Sequence, residues 1–210
     1  PCDIDAFLEI GARRGLHVFE DAACALGSGY RGRPIGAHTE MACFSFHPRK
    51  VISTGDGGMI TTQSAAFADR LRLLRQHGMS VPDTVRHRAS QVVTEEYPCL
   101  GYNYRLTDLQ AAVGIEQMKR LDGLVKRRVE LARRYDALLR DVEALDTPFV
   151  PEWAEPNYQS YAVRLRPGCP VSREAIMQRL LDAGIATRRG IMTAHRERAY
   201  TDVYGPQSLP

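Results

Sequence analysis

The strongest constraint on this chain is its alternation of short apolar runs with longer amphipathic ones, each closed by glycine or proline. From Asp3 to Arg14, Ile4, Phe7, Leu8 and Ile10 recur at helical spacing, and Gly15 follows where a left-handed cap belongs. His17-Val18-Phe19 then reads as a short buried strand running into Glu20-Asp21. Beyond a turn-rich stretch from Gly27 to Gly36, Met41 to Phe46 reads as a second strand. Ser53 to Gly58 forms a tight glycine loop and Met59 to Thr62 a third strand. Ser64 is placed to cap a helix from Ala65 to His77, stopped by Gly78. Strands and helices in this order predict an α/β layer protein.

The second half carries the strongest helix signal. Thr107-Asp108-Leu109-Gln110 has capping-box form, and apolar positions continue from Leu109 to Leu139. The pattern predicts one helix ending near Arg140, bent at Gly123 and about 50 Å long at 1.5 Å per residue, long enough to link two lobes. Residues 79–105 before it read as irregular, with Pro82 and Pro98. After Pro148 and Pro151 comes a different unit: a strand within Tyr158–Leu165, a helix from Ser172 to Ala183 stopped by Gly184, and a further strand at Ile185 to Arg188. The domain boundaries expected from this pattern are residues 1–105, a connecting helix over 106–140, and a small domain over 141–210.

Composition excludes several classes of function. No apolar run reaches the roughly 20 residues of a membrane helix. The net charge is only +3 over 210 residues, and no Lys/Arg block interleaves with aromatics, so nucleic acid is not an expected partner. Cys2, Cys24, Cys43, Cys99 and Cys169 are odd in number and lack a CxxC pair. That argues against a zinc site or disulfide framework and predicts reduced, mostly buried thiols in a cytoplasmic protein. Nothing at Pro1-Cys2-Asp3-Ile4-Asp5 resembles a secretory signal, and the chain does not open with Met.

Two segments carry candidate chemistry. In Glu20-Asp21-Ala22-Ala23-Cys24-Ala25-Leu26-Gly27, an acid sits at the end of a buried strand, where α/β proteins place ligand contacts. A single acid there is ordinarily a solvated strand end or a cap. In Ser45-Phe46-His47-Pro48-Arg49-Lys50, a lysine lies just past a strand and just before the glycine loop, in a chain with only three lysines against 25 arginines. Lysine is the side chain that forms an imine with an aldehyde cofactor, although a lone lysine is ordinarily a surface charge. The loop from Thr54 to Gly58 lacks the GxxxxGK pattern of a nucleoside-triphosphate site.

Taken together, in this order and spacing, the segments resemble the DegT/DnrJ/EryC1/StrS family of sugar aminotransferases, which use pyridoxal phosphate. The resemblance rests on EDAACALG at Glu20–Gly27, SFHPRKVISTGDGGMITT at Ser45–Thr62, RLRLLRQHG at Arg70–Gly78 and GYNYRLTDLQAAVGIEQMKRLD at Gly101–Asp122. GIATRRGIMTAHRERAY at Gly184–Tyr200 matches more weakly. It implies the fold of the aspartate aminotransferase type (fold type I): part of a large three-layer α/β/α domain plus a small C-terminal α/β domain.

By this resemblance, Lys50 is the lysine that holds the cofactor as an imine and then moves a proton. Asp21 pairs with the pyridine nitrogen, and Ser45 donates to the cofactor phosphate. Asn103 reaches the phosphate held by a neighbouring subunit, so a homodimer with shared active sites is implied. His47, Tyr104, Arg188 and His195 are candidate substrate contacts. Cys24 stands where the family usually has Gln, and a thiol is a shorter, weaker donor toward the cofactor's phenolic oxygen. A family variant that dehydrates sugars has His in place of the lysine, and Lys50 argues against it.

The implied reaction moves an amino group, with glutamate as expected donor, to a keto sugar carried on a nucleoside diphosphate. It would serve amino-sugar biosynthesis for surface polysaccharide or secondary metabolites. The family also implies that the chain is a central and C-terminal part of a longer enzyme, since little precedes Asp21. The competing expectation is a non-catalytic interaction or regulatory protein that retains the fold.

Overall fold

The computed structural model describes residues 1–81 and 83–209, so Pro82 and Pro210 lie outside the described residues. Internal contacts divide the chain into two compact units: Pro1–Arg134 with Val150–Ser160, and Tyr135–Phe149 with Tyr161–Pro210.

The first unit opens with helix α1 (Ile4–Arg14). Asp3 caps it, its Oδ1 accepting from the Ala6 N–H and, at 2.7 Å, from the Tyr30 hydroxyl. Strands β1 (Phe19–Asp21), β2 (Gly29–Tyr30), β3 (Arg33–Pro34), β4 (Met41–Ser45) and β5 (Gly58–Thr62) follow. β1 runs parallel to β4 with Asp21 opposite Cys43. β5 pairs antiparallel to β4 with Gly58 opposite Ser45. The strand foreseen at His17–Phe19 therefore starts two residues later. β2 is central to a second small sheet, between β3 and β7 (Ala154–Glu155).

Alternation along β4 decides what faces what. Ala42 and Phe44 are buried on one face, while Met41, Cys43 and Ser45 point to the other. Ala22, Ala42, Phe44, Phe46, Val51 and Ile52 form the core. Leu121, Leu124 and Val125 pack against it from α5 (Leu121–Leu139). Burying a side chain the size of Phe44, Val51 or Ile52 stabilises the unit by about 1.5–3 kcal/mol each.

The long helix is two helices. α4 (Asp108–Met118) starts at Thr107 with both hydrogen bonds of the capping box in place. At its end the Arg120 N–H donates to Gln117 O, three residues back, which tightens the last turn and breaks the ladder. α5 begins at Leu121, and Gly123 lies inside it. α2 (Ala65–Leu74) is capped by Ser64 as expected but ends three residues early. There the backbone turns to pair with residues 101–104. Tyr102 N–H donates to Leu74 O, His77 N–H to Tyr102 O and Tyr104 N–H to Arg75 O. The approach is so close that a Cβ on Gly101 would lie 2.0 Å from the Gly78 nitrogen, so glycine is required. The stretch 79–105, expected to be irregular, also contains a short helix, α3 (Asp83–Arg88).

In the second unit β6 (Leu145–Asp146) pairs antiparallel with β8 (Arg164–Leu165). Helix α6 (Arg173–Asp182), capped by Ser172, a 3-10 turn at Ala194–Arg196 and α7 (Arg198–Tyr204) complete it. Two expected strands are corrected. Tyr158–Leu165 shortens to β8: Tyr158 itself adopts φ +46°, outside extended geometry, and among the described residues no strand pairs with residues 159–163. Ile185–Arg188 forms no strand: the Ile185 N–H folds back to Leu180 O to close α6, and no neighbouring strand pairs with the segment.

The thiols are a further correction. Cys2, Cys24 and Cys43 are exposed, and only Cys99 and Cys169 are half-buried. Cys43 is exposed because it alternates with core residues, and Cys24 because it lies in the loop that leaves β1. No described helix is long and apolar enough to cross a membrane.

Candidate active site

The site begins at the C-terminal ends of the two parallel strands. Asp21 ends β1, and its Oδ1 accepts from the Ala23 N–H at 3.1 Å, which turns the chain out of the sheet. Among the described residues its carboxylate has no basic side chain as an ion-pair partner. Ser45 ends β4 on the same sheet face as Asp21, since Asp21 is paired with Cys43 and Ser45 lies two residues on.

From Ser45 the sequence dictates a turn. Pro48 fits the second position of a β-turn, and the Lys50 N–H closes it by donating to His47 O at 2.9 Å. Ser45 Oγ accepts from the His47 N–H at 3.3 Å and His47 Nδ1 from the Arg49 N–H at 3.2 Å. Thr54 N–H and Ser53 Oγ both donate to Phe46 O, and Phe46 N–H donates to Gly57 O. The segment that carries Lys50 is thereby folded against the glycine loop. Val51 and Ile52 anchor it in the core.

Lys50 Nζ lies 2.9 Å from Cys24 Sγ and makes no ion pair among the described residues. An amine that faces a thiol and no carboxylate is not spent as a structural charge, which suits covalent chemistry. Four of the five residues expected to hold a cofactor, Asp21, Cys24, Ser45 and Lys50, thus lie at one end of one sheet; the fifth, Asn103, does not.

Asn103 and Tyr104 are placed elsewhere in the first unit, on the segment paired with residues 74–77. Asn103 bridges Gln76 and accepts from Arg105 Nε at 3.0 Å, and Tyr104 stacks on Tyr102 with ring centroids 5.0 Å apart. Arg188 and His195 belong to the second unit. Arg188 is exposed, while His195 sits in the 3-10 turn with Nε2 buried and without a hydrogen-bond partner. The same unit holds a cavity of about 360 Å³ lined by Arg173, Arg189, Arg196 and Glu197, in which Arg189 pairs with Glu197 at 3.0 Å.

Two functional neighbours escape a reading of the sequence. Asn157 is buried, and its Nδ2 donates to Cys24 O at 3.0 Å and Leu26 O at 2.9 Å. It clamps the loop after Asp21. Gln159 Nε2 donates to Arg49 O at 2.6 Å, beside Lys50. Both lie more than 100 residues from the groups they hold, and no local pattern marks them; the polar run Asn157-Tyr158-Gln159-Ser160 after prolines was the only available signal.

The donor set fits pyridoxal phosphate. It contains an uncommitted amine for the aldehyde, a carboxylate at a strand end for the ring nitrogen and a strand-end hydroxyl for the phosphate.

The comparisons with known proteins agree. Residues 1–210 match the DegT/DnrJ/EryC1/StrS aminotransferase family, and the chain belongs to it. The family's enzymes depend on pyridoxal phosphate, and the fold is that of type I pyridoxal-phosphate aminotransferases. The aminotransferase TlmJ from Streptoalloteichus hindustanus is 33% identical with a TM-score of 0.82, covering 95% of this chain and 51% of that one. DesV from S. venezuelae, solved with a ketimine intermediate, is 34% identical with a TM-score of 0.82, over 97% and 51%. The putative sugar aminotransferase Spr1654 from Streptococcus pneumoniae, in its PLP form, is 23% identical with a TM-score of 0.83, over 97% and 55%. The chain spans about half the length of these solved relatives.

Proposed function

We propose that the chain carries the covalent half of a sugar aminotransferase site, and that the complete site transfers an amino group from an amino acid, glutamate, to a keto sugar borne on a nucleoside diphosphate. The observation that carries this reading is the unpaired Lys50 amine at the end of the sheet that also presents Asp21 and Ser45. Bound there, pyridoxal phosphate supplies an electron sink for negative charge developing on the carbon beside the transferred nitrogen.

The residues have separate tasks. Lys50 would hold the cofactor's aldehyde carbon, and its amine is positioned to take up and return a proton as acid and base. Asp21 holds a proton on the ring nitrogen, and Ser45 donates to the phosphate. Asn103 serves a second copy of the chain, which makes the working form a homodimer with shared sites. His47, Tyr104, Arg188 and His195 are the proposed substrate contacts. The arginine-lined cavity of the second unit supports a diphosphate-bearing substrate, because guanidinium groups bind phosphate oxygens in paired hydrogen bonds. The products fit amino-sugar synthesis in the cytoplasm for surface polysaccharide or secondary metabolites.

The test is chemical capture. The chain is mixed with pyridoxal phosphate, treated with borohydride and digested. The reading expects the fixed pyridoxyl group on Lys50 and none in Lys50→Ala. A folded chain that takes up no cofactor would sink it and is what a non-catalytic protein with this fold would give.

A further inference from the structure

We propose that Cys24 and Lys50 form an oxidation-dependent covalent bond, a lysine–cysteine sulfenamide that reversibly caps the amine. Three observations converge on it. Lys50 Nζ and Cys24 Sγ are 2.9 Å apart, so the two nucleophiles already touch. Cys24 is exposed, so an oxidant in solution reaches its sulfur. Both loops are fixed by buried or short contacts, Cys24 O to Asn157 and Arg49 O to Gln159, so the pair is held together rather than meeting by chance. An intramolecular partner at contact distance outcompetes thiols free in solution.

The chemistry balances with one equivalent of a peroxide. The Cys24 thiol attacks the peroxide O–O bond, takes one oxygen as a sulfenic acid and releases water. Neutral Lys50 amine then attacks that sulfur, forms the N–S bond, loses one proton and expels the oxygen as a second water. Sulfur is oxidised by two electrons and the peroxide is reduced by two. Two equivalents of an added thiol reverse it. The first attacks sulfur and frees the amine, and the second completes the reductant's own disulfide and restores Cys24.

The consequence for activity rests on the function proposed above, since a capped Lys50 cannot hold an aldehyde, but the bond itself does not. Cys24 becomes a modification site that couples oxidant exposure to the availability of one amine. With Gln at this position no such coupling is possible, because an amide has no oxidisable sulfur.

The experiment uses the whole chain, free of pyridoxal phosphate, treated with one equivalent of hydrogen peroxide at mildly alkaline pH and digested with trypsin without reductant. Cleavage after Arg14, Arg31, Arg49 and Arg70 leaves residues 15–31 joined to residues 50–70, since a capped Lys50 is not cut from Val51. The joined peptide is lighter than its two parts by about 2 Da, the two hydrogens lost. It should disappear on adding dithiothreitol and in Cys24→Ser, and persist in Cys43→Ser. Cys24 found as sulfinic acid beside an unmodified Lys50 overturns the proposal, as does a disulfide from Cys24 to Cys43. Reduced chain that fails to capture pyridoxal phosphate yet still cross-links refutes the proposed function and leaves this bond standing.

Discussion

The two units are held together by different physics. Every buried side chain among the described residues belongs to the first unit, with Ala42, Phe44 and Ile52 at its centre. In the second unit no described residue is buried. Its strands are joined by ion pairs at the surface, Asp146 accepting from Arg164 at 2.7 Å and from Arg166 at 2.7 Å. The Tyr161 hydroxyl donates to Asp136 at 2.6 Å, and the Tyr161 ring stacks on Tyr135. Ion pairs whose arginines are open to solvent, as Arg164 and Arg166 are, contribute little. The difference teaches where covalent chemistry is affordable: Ser45 lies between the core residues Phe44 and Phe46, Asp21 directly precedes Ala22 and Lys50 directly precedes Val51, which fixes their positions. The cavity arginines and His195 sit on a unit expected to open locally at low cost.

The harshest way to break this comparison is to hollow the first core. Phe44→Ala should destabilise the first unit by about 3–5 kcal/mol, the usual cost of deleting a buried ring. Amide exchange read strand by strand gives the answer. In the parent chain β6 and β8 should exchange well before β4, and in Phe44→Ala the protection of β4 and β5 should collapse toward theirs. If β6 and β8 are as protected as β4 in the parent, the contrast between the units is wrong.

A smaller change separates support of the site from support of the core. Asn157→Ala leaves the carbonyls of Cys24 and Leu26 without their donor, at about 1–3 kcal/mol per buried group left unsatisfied. The β4 and β5 amides should stay protected while borohydride-fixed pyridoxal phosphate on Lys50 falls. A global loss of protection would instead make Asn157 part of the core.

What the sequence revealed follows from how local each signal is. The helix starts at Ser64 and Thr107 were legible because each cap lies within three residues of the amide it accepts from, and the one at Asp3 was legible from its apolar periodicity. The break at Lys119–Arg120 was not, because neither residue is a helix breaker and apolar periodicity continues across it. The strand at Ile185–Arg188 failed because a strand is defined by a partner, and a short apolar run does not say whether one exists. Asn157 was out of reach because its carbonyl partners lie more than 130 residues away.

The gentlest test uses pH to act on the second unit. The Asp146 carboxyl is held below its ordinary value of 3.8, first by the hydrogen bond from Arg164 and then by that from Arg166. A depressed folded value means that the unfolded chain binds more protons near pH 3.8, so stability rises with pH there. The contribution is whole above the ordinary value and is lost as pH falls through the folded one. Asp3 is depressed in the same direction, chiefly by the Tyr30 hydroxyl, but it caps α1 and does not join two strands. Acid should therefore speed exchange at β6 and β8 and fray the start of α1 while β4 and β5 stay protected. Asp146→Asn should remove the acid dependence at β6 and β8 and leave that of α1. Added salt should shrink the effect, because both partners are open to solvent. If β4 and β5 lose protection over the same pH interval as β6 and β8, the two units share one source of stability and the comparison falls.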